Sequence, residues 1–352
     1  MGLIKLPKES INFFNENLSA IFDSGQLAEG PWIDLLANWA KDFTNCKYSV
    51  IFNSNGSGIF SILSILKKFR HKKTYFIQRN TMYGVKALCE ASGLNFSGMV
   101  ECSLHSLMPT LKQVNEFLDT LDDPTTSVFV ITHIGGIINP EIKEIASLCK
   151  SKGVVLVEDC AHSLGSTLNQ EHSGTFGLAG VYSLYSTKSI PAGEGGIAIT
   201  NDAEIADYLK RYIEYDRFKQ EMNIGVNFRM SEINALLAFS VIKETQNIIK
   251  QKETIAKRYI EVCDKQGITF ISQSQNSNLG NYYKFTLIDT DLNNCERYKK
   301  IKSRTSPVYD YDLKHQQPCK KEDISSNHIC LPIWYQLDEE IIEKTLAELE
   351  KC

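Results

Sequence analysis

The sequence predicts an α/β fold, with a large domain built on a mostly parallel sheet and a smaller C-terminal α+β domain. Three observations predict it. From about residue 46 to about residue 200, short β-rich runs alternate with helical patterns. Several of these runs are apolar almost throughout, as strands buried on both faces are. Beyond residue 200 the pattern turns strongly helical, then changes to short strands and polar loops. Strand, helix, strand repeated in this way specifies a parallel sheet with helices on both sides.

Two amphipathic helices are expected first, over Glu9–Phe22 and Pro31–Phe43. The strand runs follow: Ser49–Phe52, Thr74–Ile77, Ser127–Ile131, Val154–Val157, Val181–Leu184 and Gly196–Ile199. Helical patterns at Ser57–Phe69, Thr110–Leu121 and Glu141–Lys152 separate them, and Ala203–Lys219 and Ser231–Lys265 form the long helical stretch. Short strands at Gly267–Ile271 and Tyr282–Leu287 and a closing helix at Asp338–Leu349 complete the pattern. Residues 1–245 are expected to form the large domain and residues 246–352 the small one. No internal repeat interrupts this reading.

Composition narrows the classes of function. The 352 residues are enough for one sizeable core plus a lesser one. A formal net charge of −4 gives no electrostatic case for nucleic acid or anionic membrane as a partner. No apolar run approaches the ~20 residues that span a bilayer. The first residues, MGLIKLPKESINFF, lack a signal peptide's apolar core, and Leu6 stands where N-myristoylation wants Ser or Thr. A cytoplasmic protein is expected. The ten cysteines form no C-x-x-C pair, so they read as buried small hydrophobes, with neither disulfides nor a metal site expected.

Ligands of doubly wound sheets bind where strands end and helices begin, and three such places carry unusual residues. Asn53-Ser54-Asn55-Gly56-Ser57-Gly58 lies between a strand and a helix. Small residues there let the backbone approach an anion, and the helix N-terminus supplies free N–H groups. An ordinary N-capped turn explains the same residues. The segment is neither a dinucleotide fingerprint nor a Walker A sequence, which removes the main support for a nicotinamide oxidoreductase or a nucleotide triphosphatase.

Glu158-Asp159-Cys160-Ala161-His162 follows an apolar strand. A buried carboxylate is costly unless it meets a cation or strong donors, and the protonated nitrogen of pyridoxal phosphate is such a cation. The structural reading makes Asp159 a helix cap and His162 a satisfied core residue. Finally, Ser183-Leu184-Tyr185-Ser186-Thr187-Lys188 leads into Gly193-Glu194-Gly195-Gly196. Desolvation lowers a lysine's pKa and yields the neutral amine that attacks a carbonyl, although lysines are more often solvated loop residues. An anion cradle, a partner for a pyridine nitrogen and an amine nucleophile thus converge on one sheet edge.

In these segments the chain resembles the DegT/DnrJ/EryC1/StrS family of sugar aminotransferases, whose fold is the aspartate-aminotransferase-like fold type I. The likeness runs from about Ser24 to Leu237, with a weaker echo at Ile329–Trp334. It is carried by SGQLAEGPW, SNGSGIFSIL, VEDCAHSLGS, SGTFGLAGVYSLYSTKSIPAGEGG and IGVNFRMSEINA, in the family's order and spacing. The resemblance implies a pyridoxal 5'-phosphate cofactor held by Lys188 as a Schiff base, with Asp159 on the pyridine nitrogen and His162 beside the ring hydroxyl. Gly56, Ser57 and Ser183 would hold the phosphate, and Asn227 would reach the phosphate of the neighbouring subunit in a homodimer with shared sites. Arg229 follows in the same motif. The aromatic that stacks on the ring falls at Asn80–Tyr83, where an ungapped match gives Met82, and the adjacent Tyr83 is taken as the stacking residue.

The implied reaction moves an amino group from glutamate or glutamine to a keto sugar, nucleotide-linked in the family, for amino-sugar and surface-polysaccharide biosynthesis. Another small keto substrate is the alternative, since residues 265–330 hardly resemble the family. Sugar 3-dehydratases of the same family carry His where Lys188 stands. A non-catalytic regulatory protein on this scaffold would have no need of an intact Lys, Asp and phosphate loop.

Overall fold

The computed structural model describes residues 5–275, 277–288, 300–301 and 328–351. Two helices open the chain, α1 (Lys8–Ser24) and α2 (Pro31–Thr44). The following strands and helices alternate: β1 (Tyr48–Phe52), α3 (Asn55–Phe69), β2 (Thr74–Gln78), α4 (Tyr83–Ala91), β3 (Asn95–Val100), α5 (Leu111–Leu118), β4 (Ser127–Thr132), α6 (Ile142–Ser151) and β5 (Val155–Cys160). A small hairpin, β6 (Thr167–Leu168) and β7 (Glu171–His172), precedes β8 (Ala179–Ser183) and β9 (Gly196–Thr200).

Seven of these strands form one sheet in the order β1-β9-β8-β5-β4-β2-β3. The pairs β2–β3, β2–β4, β4–β5 and β5–β8 are parallel, and β9 runs antiparallel to both neighbours, β8 and β1. The sheet is therefore mostly parallel, with β9 reversed. Side chains alternate across it as the strand period requires. Tyr75, Ile77, Val128 and Val130 join α3 in one core, while Phe76, Phe129 and Ile131 pack with α5 and α6 in another. Both faces are covered, which is why these strands read as continuous apolar runs.

All six expected strand runs are strands. The edge strand β3 escaped the pattern because its residues, Asn-Phe-Ser-Gly-Met-Val, mix polar with apolar types and only the last is buried. The expected helix over Ala203–Lys219 ends at Tyr212 (α7, Ala203–Tyr212), and Ser231–Lys265 is two helices, α8 (Glu232–Ile242) and α9 (Thr245–Gln266). Gly267–Ile271 is not a strand and contributes one isolated bridge, Phe270 to Leu287. A tiny hairpin of two-residue strands, β10 (Ser274–Gln275) and β11 (Asn278–Leu279), precedes β12 (Phe285–Ile288) and β13 (His328–Leu331), and Glu339–Leu349 is the closing helix. The C-terminal part of α9 shares a separate core with β12, β13 and that helix through Tyr259, Phe285, Leu331 and Ile342. Cys295, Cys319 and Cys352 lie outside the described residues; seven described cysteines are free thiols.

Two segments far apart in sequence meet at the start of α2. Gly30 has no side chain with which to cap that helix, and Glu232 of α8 does so instead. Its buried carboxylate accepts from the N–H groups of Gly30 (3.1 Å), Trp32 (2.9 Å) and Ile33 (3.2 Å). The N-terminal helices are thereby tied to the helix that follows Asn227 and Arg229.

Candidate active site

The carboxyl ends of β1, β4, β5 and β8 lie on one edge of the sheet and surround a cavity of about 280 Å³. Its wall includes Ser54, Asn55, Gly56, Met82, Thr132, Asp159, Ala161, His162, Ser183, Tyr185, Lys188 and Glu194. Ligand pockets start at roughly 300 Å³, so this space suits one small group with little to spare. Five of the eight predicted site residues stand on the wall: Gly56, Asp159, His162, Ser183 and Lys188.

At the end of β1, Ser54 caps α3, its Oγ accepting from the N–H of Ser57 (3.1 Å). The capped turn is therefore present, and Gly56 beside it faces the cavity. Ser57 itself directs its hydroxyl to Asn53 Oδ1 (2.6 Å) and leaves the wall to Gly56. The turn is pinned by Asn53, whose N–H donates to the Phe228 carbonyl (2.8 Å). It also requires Gly196 beneath it, because a Cβ there would come within 2.3 Å of the Ser54 carbonyl oxygen.

Asp159, near the end of β5, is only 3% exposed. Its Oδ1 accepts from Asn55 Nδ2 (3.1 Å) and the Ala161 N–H (3.1 Å), and its Oδ2 accepts from Thr132 Oγ1 (3.3 Å). Burial raises its pKa; the Ala161 N–H, the Lys188 amine, Asn55 and Thr132 oppose the shift. A buried carboxylate in that balance is poised for a cation. Asn55 and Thr132 are site residues that sequence reasoning did not single out. Asn55 was visible within the quoted turn, and Thr132 had no local signal beyond its place at a strand end.

Lys188 sits in the loop between β8 and β9. Backbone bonds fold that loop on itself, from Leu184 N–H to Gly195 (2.9 Å), Ser186 N–H to Gly193 (3.0 Å) and Ala192 N–H to Leu184 (2.7 Å). Burial pushes the Lys188 amine down to about 8; Asp159 opposes that shift and Lys284 adds to it. A substantial neutral fraction near neutral pH follows, as a nucleophile and proton carrier need. His162 is held neutral, its pKa driven well below the usual range by burial and by Lys188 and Lys284.

The remaining predictions fare differently. Tyr83 is 54% exposed at the start of α4 and is absent from the wall, which Met82 joins instead. The stacking position expected at Tyr83 therefore has Met82, the residue of the ungapped match, on the wall. Asn227 is exposed and does not line this cavity; its Oδ1 accepts from the Arg229 N–H (3.3 Å). Arg229 pairs with Glu29 (3.4 Å) on a separate, larger groove of mixed charge.

His133, Glu158 and Cys160 bring three metal-ligating atoms within 4.8 Å of one another on the other side of β5. Hydrogen bonds already occupy them. His133 Nδ1 accepts from the Asn139 N–H (3.1 Å), which leaves Nε2 to donate to Glu158 (2.8 Å). No imidazole lone pair remains for an ion.

The donor set fits pyridoxal phosphate: a buried carboxylate, a depressed lysine amine, a neutral imidazole and a glycine at a helix N-terminus face one small cavity. The fold and site define an aminotransferase of fold type I. The profile of the DegT/DnrJ/EryC1/StrS aminotransferase family matches residues 8–350, and the chain belongs to that family of pyridoxal-phosphate-dependent enzymes. It is similar to the UDP-4-amino-4,6-dideoxy-N-acetyl-beta-L-altrosamine transaminase of Helicobacter pylori, 24% identical over 92% of this chain and 90% of that protein. GDP-perosamine synthase of Escherichia coli O157:H7 is 25% identical over 61% of this chain and 62% of its own. Among solved structures, Helicobacter pylori PseC, an aminotransferase involved in the biosynthesis of pseudoaminic acid, superposes with a TM-score of 0.85 at 21% identity, covering 99% of this chain and 97% of that one. The 3-dehydratase ColD also superposes, with a TM-score of 0.81 at 17% identity over 99% of both chains, so the fold alone does not separate the two reactions.

Proposed function

We propose that this enzyme carries out a two-stage transamination, taking an amino group from glutamate or glutamine and delivering it to a nucleotide-linked keto sugar for amino-sugar and surface-polysaccharide biosynthesis. The observation that carries this reading is the Lys188 amine, depressed to about 8, facing the same small cavity as the buried Asp159 carboxylate. The UDP-, GDP- and TDP-linked compounds in the names of similar proteins support the substrate class.

Pyridoxal phosphate, when bound, supplies the electron sink for the carbanion left when a Cα proton departs. Every other part belongs to the chain. Lys188, as a neutral amine, would hold the cofactor covalently and, when free, would carry the proton between two carbons. Asp159 keeps a negative charge against the pyridine nitrogen, with Asn55, Thr132 and Ala161 fixing its two oxygens. His162 offers a neutral imidazole to the ring hydroxyl. Gly56 and Ser183 would take the phosphate at the N-terminus of α3, and Ser57 would join them by turning its hydroxyl away from Asn53. Residues 246–352, with their own core, act as the small domain that shapes the sugar side.

A cytoplasmic homodimer is part of this reading. The free thiols suit a reducing compartment. Asn227, exposed and off its own cavity wall, is assigned to the phosphate of the neighbouring subunit.

Two experiments test these points. Borohydride reduction of the cofactor-loaded protein should leave a phosphopyridoxyl group on the Lys188 peptide, and incubation with glutamate or glutamine and a panel of UDP-, GDP- and TDP-linked keto sugars should yield an amino sugar. No adduct at Lys188, or no amination of any keto sugar, overturns the corresponding part. For the dimer, Lys188→Ala and Asn227→Ala proteins, each inactive alone, are mixed and allowed to exchange. One site of each mixed dimer then carries neither defect, and activity should return to roughly a quarter of wild type. Confirmed exchange without recovery rules out shared sites.

A further inference from the structure

The segment Gly280–Lys284 carried no site expectation in the sequence, yet it is built into the wall of the site. Asn281 Nδ2 donates to the carbonyls of His162 (2.8 Å) and Leu164 (2.9 Å), in the loop after β5. The N–H groups of Asn281 and Lys284 donate to Gly136 and Gly135 (2.9 Å each), in the loop after β4. Gly136 makes this crossing possible: its φ is +104°, and a Cβ there would lie 2.4 Å from Asn281 Oδ1. Tyr283 is thereby held in place, its N–H donating to Asn281 Oδ1 (2.8 Å).

The Tyr283 ring is the meeting point of three functional side chains. It stacks on His162 with centroids 4.5 Å apart and planes 30° apart. The Lys188 nitrogen lies 5.4 Å from the same centroid and the Lys284 nitrogen 4.5 Å from it. Its hydroxyl lies near Thr187, the residue before Lys188, whose side chain tempers the rise of the phenol. Burial pushes the phenol up to about 12, so the ring stays neutral.

We propose that Tyr283 is a positioning residue for Lys188, its ring holding the lysine amine beside His162 and sharing it against the neighbouring Lys284. The proposal rests on the transamination reading, in which Lys188 must be neutral at one step and protonated at another. The groups around the amine pull in opposite directions. Asp159 and the ring's negative face favour the ammonium, while burial and the Lys284 charge favour the neutral amine. Glu194 and Tyr185 also line the cavity, and His162, held neutral, adds no charge. Without the ring, the ammonium loses one of its two stabilising neighbours.

The test uses the full-length, cofactor-free protein, so it does not depend on turnover. Only a neutral amine reacts with trinitrobenzenesulfonate, and peptide mapping reads the modification of Lys188 as a function of pH. The wild-type midpoint is expected near 8. Tyr283→Phe, which keeps the ring, should leave it in place. Tyr283→Leu should lower it by about half a unit to one unit, the size of a partly buried cation–π contact. Lys284→Met, which removes a like charge without emptying the space, should raise it. If Tyr283→Leu does not fold by circular dichroism, Tyr283→Met replaces it with the same expected fall. A midpoint that stays put or rises in the ringless variant overturns the proposal, since the ring would then only exclude water. A flat response to Lys284→Met overturns the sharing with Lys284. The shifts appearing in a protein that aminates no keto sugar would instead count against the transamination reading alone.

Discussion

Glu158 and Asp159 are neighbours in the chain, and the two sides of β5 treat them in opposite ways. On one side Glu158, fully buried, is closed off by protein. It accepts from His133 Nε2 (2.8 Å) and from the N–H groups of Gly174 (2.8 Å), Phe176 (2.8 Å) and Gly177 (2.6 Å). Those bonds anchor the loop that leads into β8. On the other side Asp159 has two side-chain donors and one N–H, and it faces a cavity with an amine across it. The first carboxylate is satisfied by the fold; the second is held ready for a cation that the fold does not provide. Burial is common to both and distinguishes nothing. The identity and completeness of the partners separate a structural carboxylate from a functional one.

Four substitutions sharpen or break this comparison. The largest effect is expected on the amine that answers Asp159. Lys188→Ala should lower the rate of the amino-donor half-reaction by roughly 10³-fold or more, since nucleophile and proton carrier vanish together. Circular dichroism should show an unchanged fold. Rapid-mixing kinetics near wild-type rates would remove Lys188 from its assigned role.

Asp159→Asn should slow the same half-reaction by roughly 10²- to 10⁴-fold while cofactor is still bound. The cofactor-free variant should keep or gain stability at pH 7. Because burial raises the Asp159 pKa, the ionised form opposes folding above the folded-state pKa, and the amide removes that penalty. A clear loss of stability in urea would mean that Asp159 is structural after all.

Glu158→Gln should do the reverse. An amide cannot accept all four hydrogen bonds without turning a donor toward a donor, so urea unfolding should show a loss of about 3–5 kcal/mol, as for a broken buried pair. The half-reaction of whatever protein remains folded should change little. An equal kinetic defect in the two variants would collapse the distinction between the two sides of the strand.

The smallest effect belongs to His162. Its folded-state pKa is depressed, so below the unfolded value of 6.5 the unfolded chain gains a proton that the folded chain refuses. Stability contributed at neutral pH is thus lost as the pH falls. His162→Gln lacks that drain, and its stability relative to wild type should improve by roughly 2 kcal/mol between pH 7 and pH 5. Parallel acid-denaturation curves for the two proteins would show that His162 titrates normally.

Much of the first stretch of the molecule was legible in the chain itself. β1, β4, β5, β8 and β9 are apolar runs because both faces of the sheet are covered, and their ends carried the conspicuous residues. The edge strand β3 was silent, since half its residues face solvent and it needs no apolar pattern. α8 and α9 read as one helix because nothing in the sequence breaks the helical pattern at Lys243-Glu244, where the chain changes direction between packing partners. Tyr83 opens α4 off the cavity wall and its neighbour Met82 stands on it, a difference of one position that no local pattern separates.

The sequence by itself determined the fold class and the family, and with the family its cofactor, because strand periodicity and the run of motifs from Glu158 to Gly196 are local signals. Only the tertiary structure decided what closes off Glu158, that Asn55 and Thr132 orient Asp159, and that Tyr283 crosses about 95 residues of chain to stand beside Lys188. These depend on contacts between segments distant in sequence, where the neighbouring residues carry no trace of the partner.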